Sequence, residues 1–281
     1  MATNQKLVEF PHVLAITMMG IADTNGPPPS DDEMKMVELA IYRNRHPGPP
    51  YVRRACSRND PKVTDCVMKI GTEAIQGVVK GDPKYKIPKL NPMTIDELRI
   101  NQGTKQVGLS IICKKCLLYG LPDTKFVSAY NSWEKRECHW NFHLDKIAVR
   151  GKYNVSGQVL LLPIFGSGDA EFDFYDLKFS YKYKWDYYKR ANWTYVNITQ
   201  SEFPLEIGNM TIKLQNLFNG DKLLSGNMNR FINEHWVEIL ADIKPALSKS
   251  LADLTTQILG NMAKFIPFDI MFPEKYDPNE D

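Results

Sequence analysis

The sequence predicts an α+β fold in which a long C-terminal helix is wrapped by a curved antiparallel sheet. Three observations carry this expectation. Phe179-Ser-Tyr-Lys-Tyr-Lys-Trp-Asp-Tyr187 sets an aromatic residue at every odd position, with mostly charged residues between. Period-two alternation puts five rings on one sheet face and the lysines in water. From Asn227 to about Phe265, apolar residues recur at Met228, Phe231, Ile232, Trp236, Ile239, Ile243, Leu247, Leu251, Leu254, Ile258 and Met262. That is a helical stripe of roughly 50 Å. No second helix of matching length is available to cover it, so the dry face of the sheet is its natural partner.

The chain has 281 residues, 43% hydrophobic and 24% charged, with a formal charge of +2. Such a chain buries a large core, which excludes disorder for its bulk. The near-neutral balance offers no basic footprint for nucleic acid and no polybasic anchor. Nothing approaches the roughly 18 uninterrupted apolar residues of a membrane span, so stable membrane insertion is not expected.

In chain order, residues 1–22 read as a secretory signal. Lys6 supplies a positive n-region, Val13 to Ala22 a short apolar core, and Gly20-Ile21-Ala22 small residues at cleavage spacing. Residues 23–50 read as a Pro-rich leader, in which Ser30-Asp-Asp-Glu33 could cap a helix through Met34, Val37 and Ile41. Asp60-Pro61 begins a helix carrying Val63, Cys66, Ile70, Ala74 and Val78 on one face, closed by Gly81. Strand patterns run from Thr94 to Lys213. Within them Leu160 to Phe165 is a short apolar run ended by a turn at Gly166-Ser-Gly168. The final helix is expected to be continuous, with a kink at Pro245. Residues 51–275 form the folded domain on this reading, and 276–281 a tail.

Four Asn-X-Ser/Thr sequons, at Asn154, Asn192, Asn197 and Asn209, agree with secretion and with glycosylation. Of the five cysteines, Cys56 and Cys66 flank the first turns of the early helix. A bridge between them would contribute about 3 kcal/mol in the chain-entropy model; two independent buried thiols are the alternative.

The ordered set of motifs resembles the takeout and juvenile hormone-binding protein family of insect secreted carriers. It comprises Cys56-Ser-Arg-Asn-Asp-Pro with Cys66, Ile87-Pro-Lys-Leu-Asn-Pro-Met, Leu118-Tyr-Gly-Leu121, Gly151-Lys-Tyr153, Gly157-Gln-Val-Leu160, Leu162-Pro-Ile-Phe-Gly166 with Gly168, Leu217-Phe-Asn-Gly-Asp-Lys-Leu223, Asn229, Ile232-Asn233 and Trp236. The resemblance covers about residues 50–275. It implies a super-roll of the tubular lipid-binding type, a long helix in a highly curved sheet around an internal hydrophobic tunnel. It also implies a secreted, extracellular carrier of a terpenoid, fatty acid or other lipid. Cys113, Cys116 and Cys138, and the leader before Cys56, are additional to the family pattern.

The residues offer little else in the way of chemistry. Cys113-Lys-Lys-Cys116 has metal-site or redox spacing, but a second pair is absent. On a regular strand, positions three apart face opposite ways and neither chelate nor bridge, so one of them could pair with Cys138 instead. His139 and His143 share a strand face but stand about 13 Å apart, too far to hold one metal ion. No nucleophile elbow or phosphate loop is present, so no enzymatic activity, cofactor or metal is expected. The expected ligand-lining residues are Phe126, Tyr130, Tyr153, Val159, Leu161, Met228, Phe231, Ile232, His235, Trp236 and Ile239, with Tyr130, Tyr153 and His235 placed to orient a ligand oxygen. The rival expectation is an extracellular protein that acts on an unidentified receptor through its surface, with a filled or vestigial tunnel.

Overall fold

The strand-forming sequence from Met93 to Leu214 folds into one seven-stranded antiparallel sheet. The structure is a computed structural model that describes residues 51–52, 55–104 and 107–274, with the isolated positions Met34 and Pro49. The chain divides into two compact units, 1–50 and 51–281, and the second is described here. The expected signal at 1–22, the leader at 23–50 (Met34 and Pro49 apart) and the tail at 276–281 lie outside the described residues.

The strands are β1 (Met93–Thr104), β2 (Val107–Tyr119), β3 (Lys125–Ser132), β4 (Glu137–Val159), β5 (Leu162–Arg190), β6 (Trp193–Glu202) and β7 (Leu205–Leu214). β4 and β5 are 23 and 29 residues long and pair along nearly their whole length. Each serves two neighbours in succession. The first half of β4 pairs with β3 and its second half with β2. The first half of β5 pairs with β7 and its second half with β6. A sheet built this way has two ends with different strand sets, joined by the long central hairpin.

The helices are α1 (Val63–Val78), α2 (Lys222–Glu234), α3 (Trp236–Phe265) and α4 (Phe268–Met271). The start of α1 differs slightly from expectation. The Asp60 carboxylate accepts from Lys62 N–H at 2.7 Å across a turn, and the helix begins at Val63. α1 lies on β3, where Gly71 leaves room for the Phe126 ring; a Cβ added at Gly71 would sit 2.6 Å from that ring. The segment before α1 is tied to the C-terminal turn, Cys56 N–H donating to Met271 O at 3.0 Å and Arg58 N–H to Pro273 O at 2.8 Å.

The long C-terminal stripe belongs to two helices rather than one. The break falls at His235 (φ −112°), ten residues before Pro245, and α3 continues through Pro245. Tertiary packing sets the break, because α2 is held along the edge of β7 while α3 runs past β6, β7 and β1.

Three further expectations are corrected. Leu160–Phe165 is not one strand: Val159 faces Leu162 in the β4–β5 register, so Leu160 and Leu161 form a two-residue hairpin turn. Gly166-Ser-Gly168 is not a turn but part of β5. A Cβ at Gly166 would lie 2.8 Å from Leu217 Cα, and one at Gly168 3.1 Å from the Gln215 carbonyl carbon. The glycines are there for close backbone approach. Cys113 and Cys116 are bridged to each other, and among the described residues Cys138 is the free thiol. A register shift between Lys114 and Leu117, with Lys115 at φ +49°, curls β2 so that both sulfurs turn to the buried side. A bulge cancels the alternation that forbids such a bridge in a regular strand.

Candidate functional site

Even-numbered residues of the first half of β4 and odd-numbered residues of the second half of β5 share the inner face, as the pairs Cys138–Tyr183, Trp140–Tyr181, Phe142–Phe179 and Leu144–Leu177 show. In the second half of β4 the odd-numbered Tyr153, Val155 and Val159 are the buried ones. α3 supplies the opposite wall. Its stripe meets a succession of clusters: Ile239, Leu240 and Ile243 near its start, Leu247 and Leu251 in the middle, then Leu254, Ile258 and Met262.

At the α2 end, Tyr153, Val159, Met228, Ile232 and Ile239 are buried together with Leu109, Val155, Ile164, Met210 and Leu217; Phe231 and Trp236 pack on them. Seven of the eleven expected lining residues are thus in one place. The Tyr153 hydroxyl donates to the Gln215 carbonyl at 2.8 Å, and burial pushes the phenol up to about 12. That hydroxyl anchors the crossing segment. α2 is seated by two asparagines one turn apart. Asn229 accepts from Leu214 N–H at 2.8 Å and donates to Leu214 O at 2.9 Å; Asn233 does the same at Ile212, at 2.8 and 2.7 Å.

The middle is purely aliphatic and aromatic, with Leu144, Leu177 and Leu205 against Phe174, Phe179, Leu247 and Leu251. The far end is a ladder of rings. Phe126 stacks on Phe142 at 4.7 Å, Phe142 on Phe179 at 5.3 Å, and Tyr181 on Tyr183 at 5.1 Å. Trp133 touches Trp185, Phe268 and Phe272. The Tyr181 hydroxyl and Thr256 of α3 share a hydrogen bond of 2.8 Å, extended to Ser201 at 2.8 Å. Cys138 lies in this region and donates to Asn131 Oδ1 at 3.0 Å, where Trp140 Nε1–H also donates. Burial pushes the Cys138 thiol from 9.0 up to about 12. Three buried N–H groups have no protein partner among the described residues: Arg58 Nε, Asn131 Nδ2 and Trp185 Nε1. The Arg58 guanidinium stands 5.0 Å over the Phe268 ring.

Four expected lining residues lie elsewhere. Phe126 is in the aromatic ladder under α1, not beside the α2 cluster. Tyr130 points to the outer face, 45% exposed and against the His139 ring, because the bulge between Phe126 and Ser128 shifts the phase of β3. Leu161 sits on the exposed hairpin tip. His235 marks the α2–α3 break, half-buried, its ring 4.5 Å from Phe231. His143, on the outer face, contacts Asp176 at 2.8 Å and Asp145 at 3.5 Å. His143 and Lys178 hold the Asp176 carboxyl below its usual range, and Lys125 does so for Asp145. Among the described residues no set of three or more His, Cys, Asp or Glu side chains is placed to hold a metal ion, and no helix is long and apolar enough to cross a membrane.

A surface cleft of about 350 Å³ opens between Asp186, Tyr187, Tyr188, Val196 and Asn197 on β5–β6 and Gly260 and Lys264 on α3. It is open and charged at its rim. The apolar interior is therefore the stronger candidate for an apolar ligand. Sequence reasoning missed Trp133, Ser201 and Thr256, which belong to no periodic pattern. Asn229 and Asn233 were visible in the sequence only as members of the motif set that carries the family resemblance. All four sequon asparagines are exposed.

The profile of the haemolymph juvenile hormone binding protein family matches residues 37–273. The circadian clock-controlled protein daywake of Drosophila melanogaster is 25% identical over 236 residues, 81% of this chain and 90% of that protein. Daywake of Drosophila yakuba is 24% identical over 215 residues, 74% and 83% of the two chains. The crystal structure of Takeout 1 of Epiphyas postvittana superimposes with a TM-score of 0.70 at 21% identity, covering 78% of this chain and 99% of that one.

Proposed function

This chain belongs to the haemolymph juvenile hormone binding protein family, and from that premise we propose that it carries a small hydrophobic molecule between its sheet and α3. The observation that carries the reading is the apolar stripe of α3, which meets buried sheet clusters from Ile239 to Met262 and is interrupted by the Tyr181–Thr256–Ser201 hydrogen bonds. Ligand uptake would be driven by burial, at about 25 cal/mol per Å² of apolar ligand surface before the cost of association is subtracted. The three unpartnered N–H groups favour a ligand with an acceptor oxygen, such as an ester, acid or ketone on a terpenoid or acyl chain. The sequons, two disulfides and the apolar N-terminal segment favour a secreted, glycosylated protein.

The test is stoichiometric uptake of an apolar fluorescent probe by the oxidised, glycosylated protein, competed by a long-chain fatty acid. Ile239→Trp, which adds volume where α3 faces the α2-end cluster, should weaken uptake by about tenfold or more. Failure of the unmodified protein to take up any such probe would sink the carrier reading.

A further inference from the structure

The β4–β5 hairpin tip is built against its local preferences. Leu160 and Leu161 have φ of +47° and +77°. A two-residue turn with both φ positive normally takes Asn-Gly, because a branched side chain is strained there. The β5–β6 turn of the same sheet, Ala191-Asn192, also has both φ positive, with Asn, which tolerates that region, at its second position. Here a leucine is held in the strained conformation and turned to solvent, which costs both backbone and hydration energy. Such an outlier points to a use.

The tip is part of a larger apolar surface. Leu161 is 70% exposed, Leu162 41% and Phe165 46%; on the first turn of α2, Leu223 is 73% and Leu224 50% exposed. The two segments are joined, since Gly166 bridges to Leu217 and the Phe165 ring packs on Phe218 at 5.1 Å. No charged residue occurs between Lys152 and Asp169, and only Asp221 and Lys222 between Lys213 and Arg230. Asp221 caps the start of α2, accepting from Leu223 and Leu224 N–H at 2.9 Å, and both it and Lys222 are exposed beside the leucines. Charge resumes farther down the strands, where Lys152 pairs with Asp169 and Lys213 with Glu171.

We propose that this tip docks reversibly on a lipid bilayer surface, with Leu161, Leu162, Phe165, Leu223 and Leu224 entering the interface and Lys222 facing anionic headgroups. The area decides between a bilayer and a second copy. The five side chains expose on the order of 500 Å². That is short of the roughly 800 Å² per partner of a standard protein interface. Shallow burial in an interface makes no such demand and rewards an apolar projection with little charge around it. The position is also apt: Val159, Leu160 and Leu217, directly behind the tip, belong to the α2-end cluster. The role of the tip in loading or delivery rests on the carrier reading above; the docking itself does not.

The test is flotation of the full-length protein with vesicles of phosphatidylcholine containing phosphatidylglycerol. The unmodified protein should float, and Leu161→Asp or Leu223→Asp should lower partition by roughly tenfold or more each. Leu161→Asn removes the apolar group but suits the positive φ, so it should melt at or above the unmodified protein while floating less. Uptake of a soluble apolar probe should be unchanged in all three variants. Absence of flotation, or equal flotation by the variants, overturns the proposal. So does a dimer in sedimentation that the aspartates disperse, because the patch would then be a self-interface. Intact flotation with no probe uptake would count against the carrier reading and leave docking standing.

Discussion

Replacing Asn233 with alanine tests how α2 is seated and therefore how the α2-end cluster is closed. Two asparagines four residues apart on a helix are separated by about 6 Å, and residues two apart on a strand by about 6.7 Å. That match lets Asn229 and Asn233 each grip one N–H and C=O pair on β7, at Leu214 and Ile212. The alanine variant loses three hydrogen bonds, two to Ile212 and one to Asn229 O, and strands two backbone groups at the buried Ile212. At about 1–3 kcal/mol for each stranded group, and allowing for partial relief by water, the loss should be about 2–4 kcal/mol. In a domain of this size that lowers Tm by about 5–15 °C. Thermal unfolding followed by circular dichroism measures it, with Asn227→Ala on the same helix, an exposed position, as the control. Asn233→Asp should cost more than alanine at neutral pH, because a carboxylate would face the Ile212 carbonyl. The introduced acid would have its folded pKa raised, so its penalty should shrink as pH falls and the protonated group can donate. If Asn233→Ala melts within about 1 °C of the Asn227→Ala control, the amide clamp does not seat α2 and the reasoning fails.

Gly151→Ala should destabilise by about 1–3 kcal/mol, because the new Cβ would lie 2.8 Å from Cys116 Cα, beside the bulge; urea unfolding of the oxidised protein measures this, and an unchanged midpoint would refute the packing. The Cys138 thiol, whose pKa burial raises from 9.0 to about 12, contributes stability that is fully present below pH 9 and lost as pH rises toward 12. The unmodified protein should therefore lose about 2–3 kcal/mol more than Cys138→Ala between pH 8 and pH 11. Folded protein at pH 8 should also resist alkylation at Cys138, and modification at the rate of an unfolded control would contradict the burial.

Much of the fold was legible because burial imposes a period. The Phe179–Tyr187 alternation and the Ile239–Met262 stripe each face the interior they predicted, since a strand or helix that long can bury only one face. Legibility failed where local rules were overruled. The hairpin at Leu160-Leu161 carries no turn residue, so a turn read as a strand. The bulges at Lys114–Leu117 and Phe126–Ser128 change phase without a sequence mark. They bring Cys113 to Cys116 and send Tyr130 outward. The break at His235 has no proline or glycine beside it.

By itself the sequence determined the partners in kind: one aromatic sheet face, one helical stripe, an early cysteine pair and an uncharged segment from Tyr153 to Gly168. Those follow from periodicity, spacing and composition, which neighbouring residues in the chain settle among themselves. Only the tertiary structure decided which lining candidates meet. It placed Tyr153, Val159, Met228, Phe231, Ile232, Trp236 and Ile239 together, left Phe126 in the far ladder, and turned Tyr130 and Leu161 to water. The reason is physical. Register, bulges and the seating of α2 on β7 depend on hydrogen bonds between segments far apart in the chain, and a one-residue shift in any of them moves a side chain from the interior to the outside.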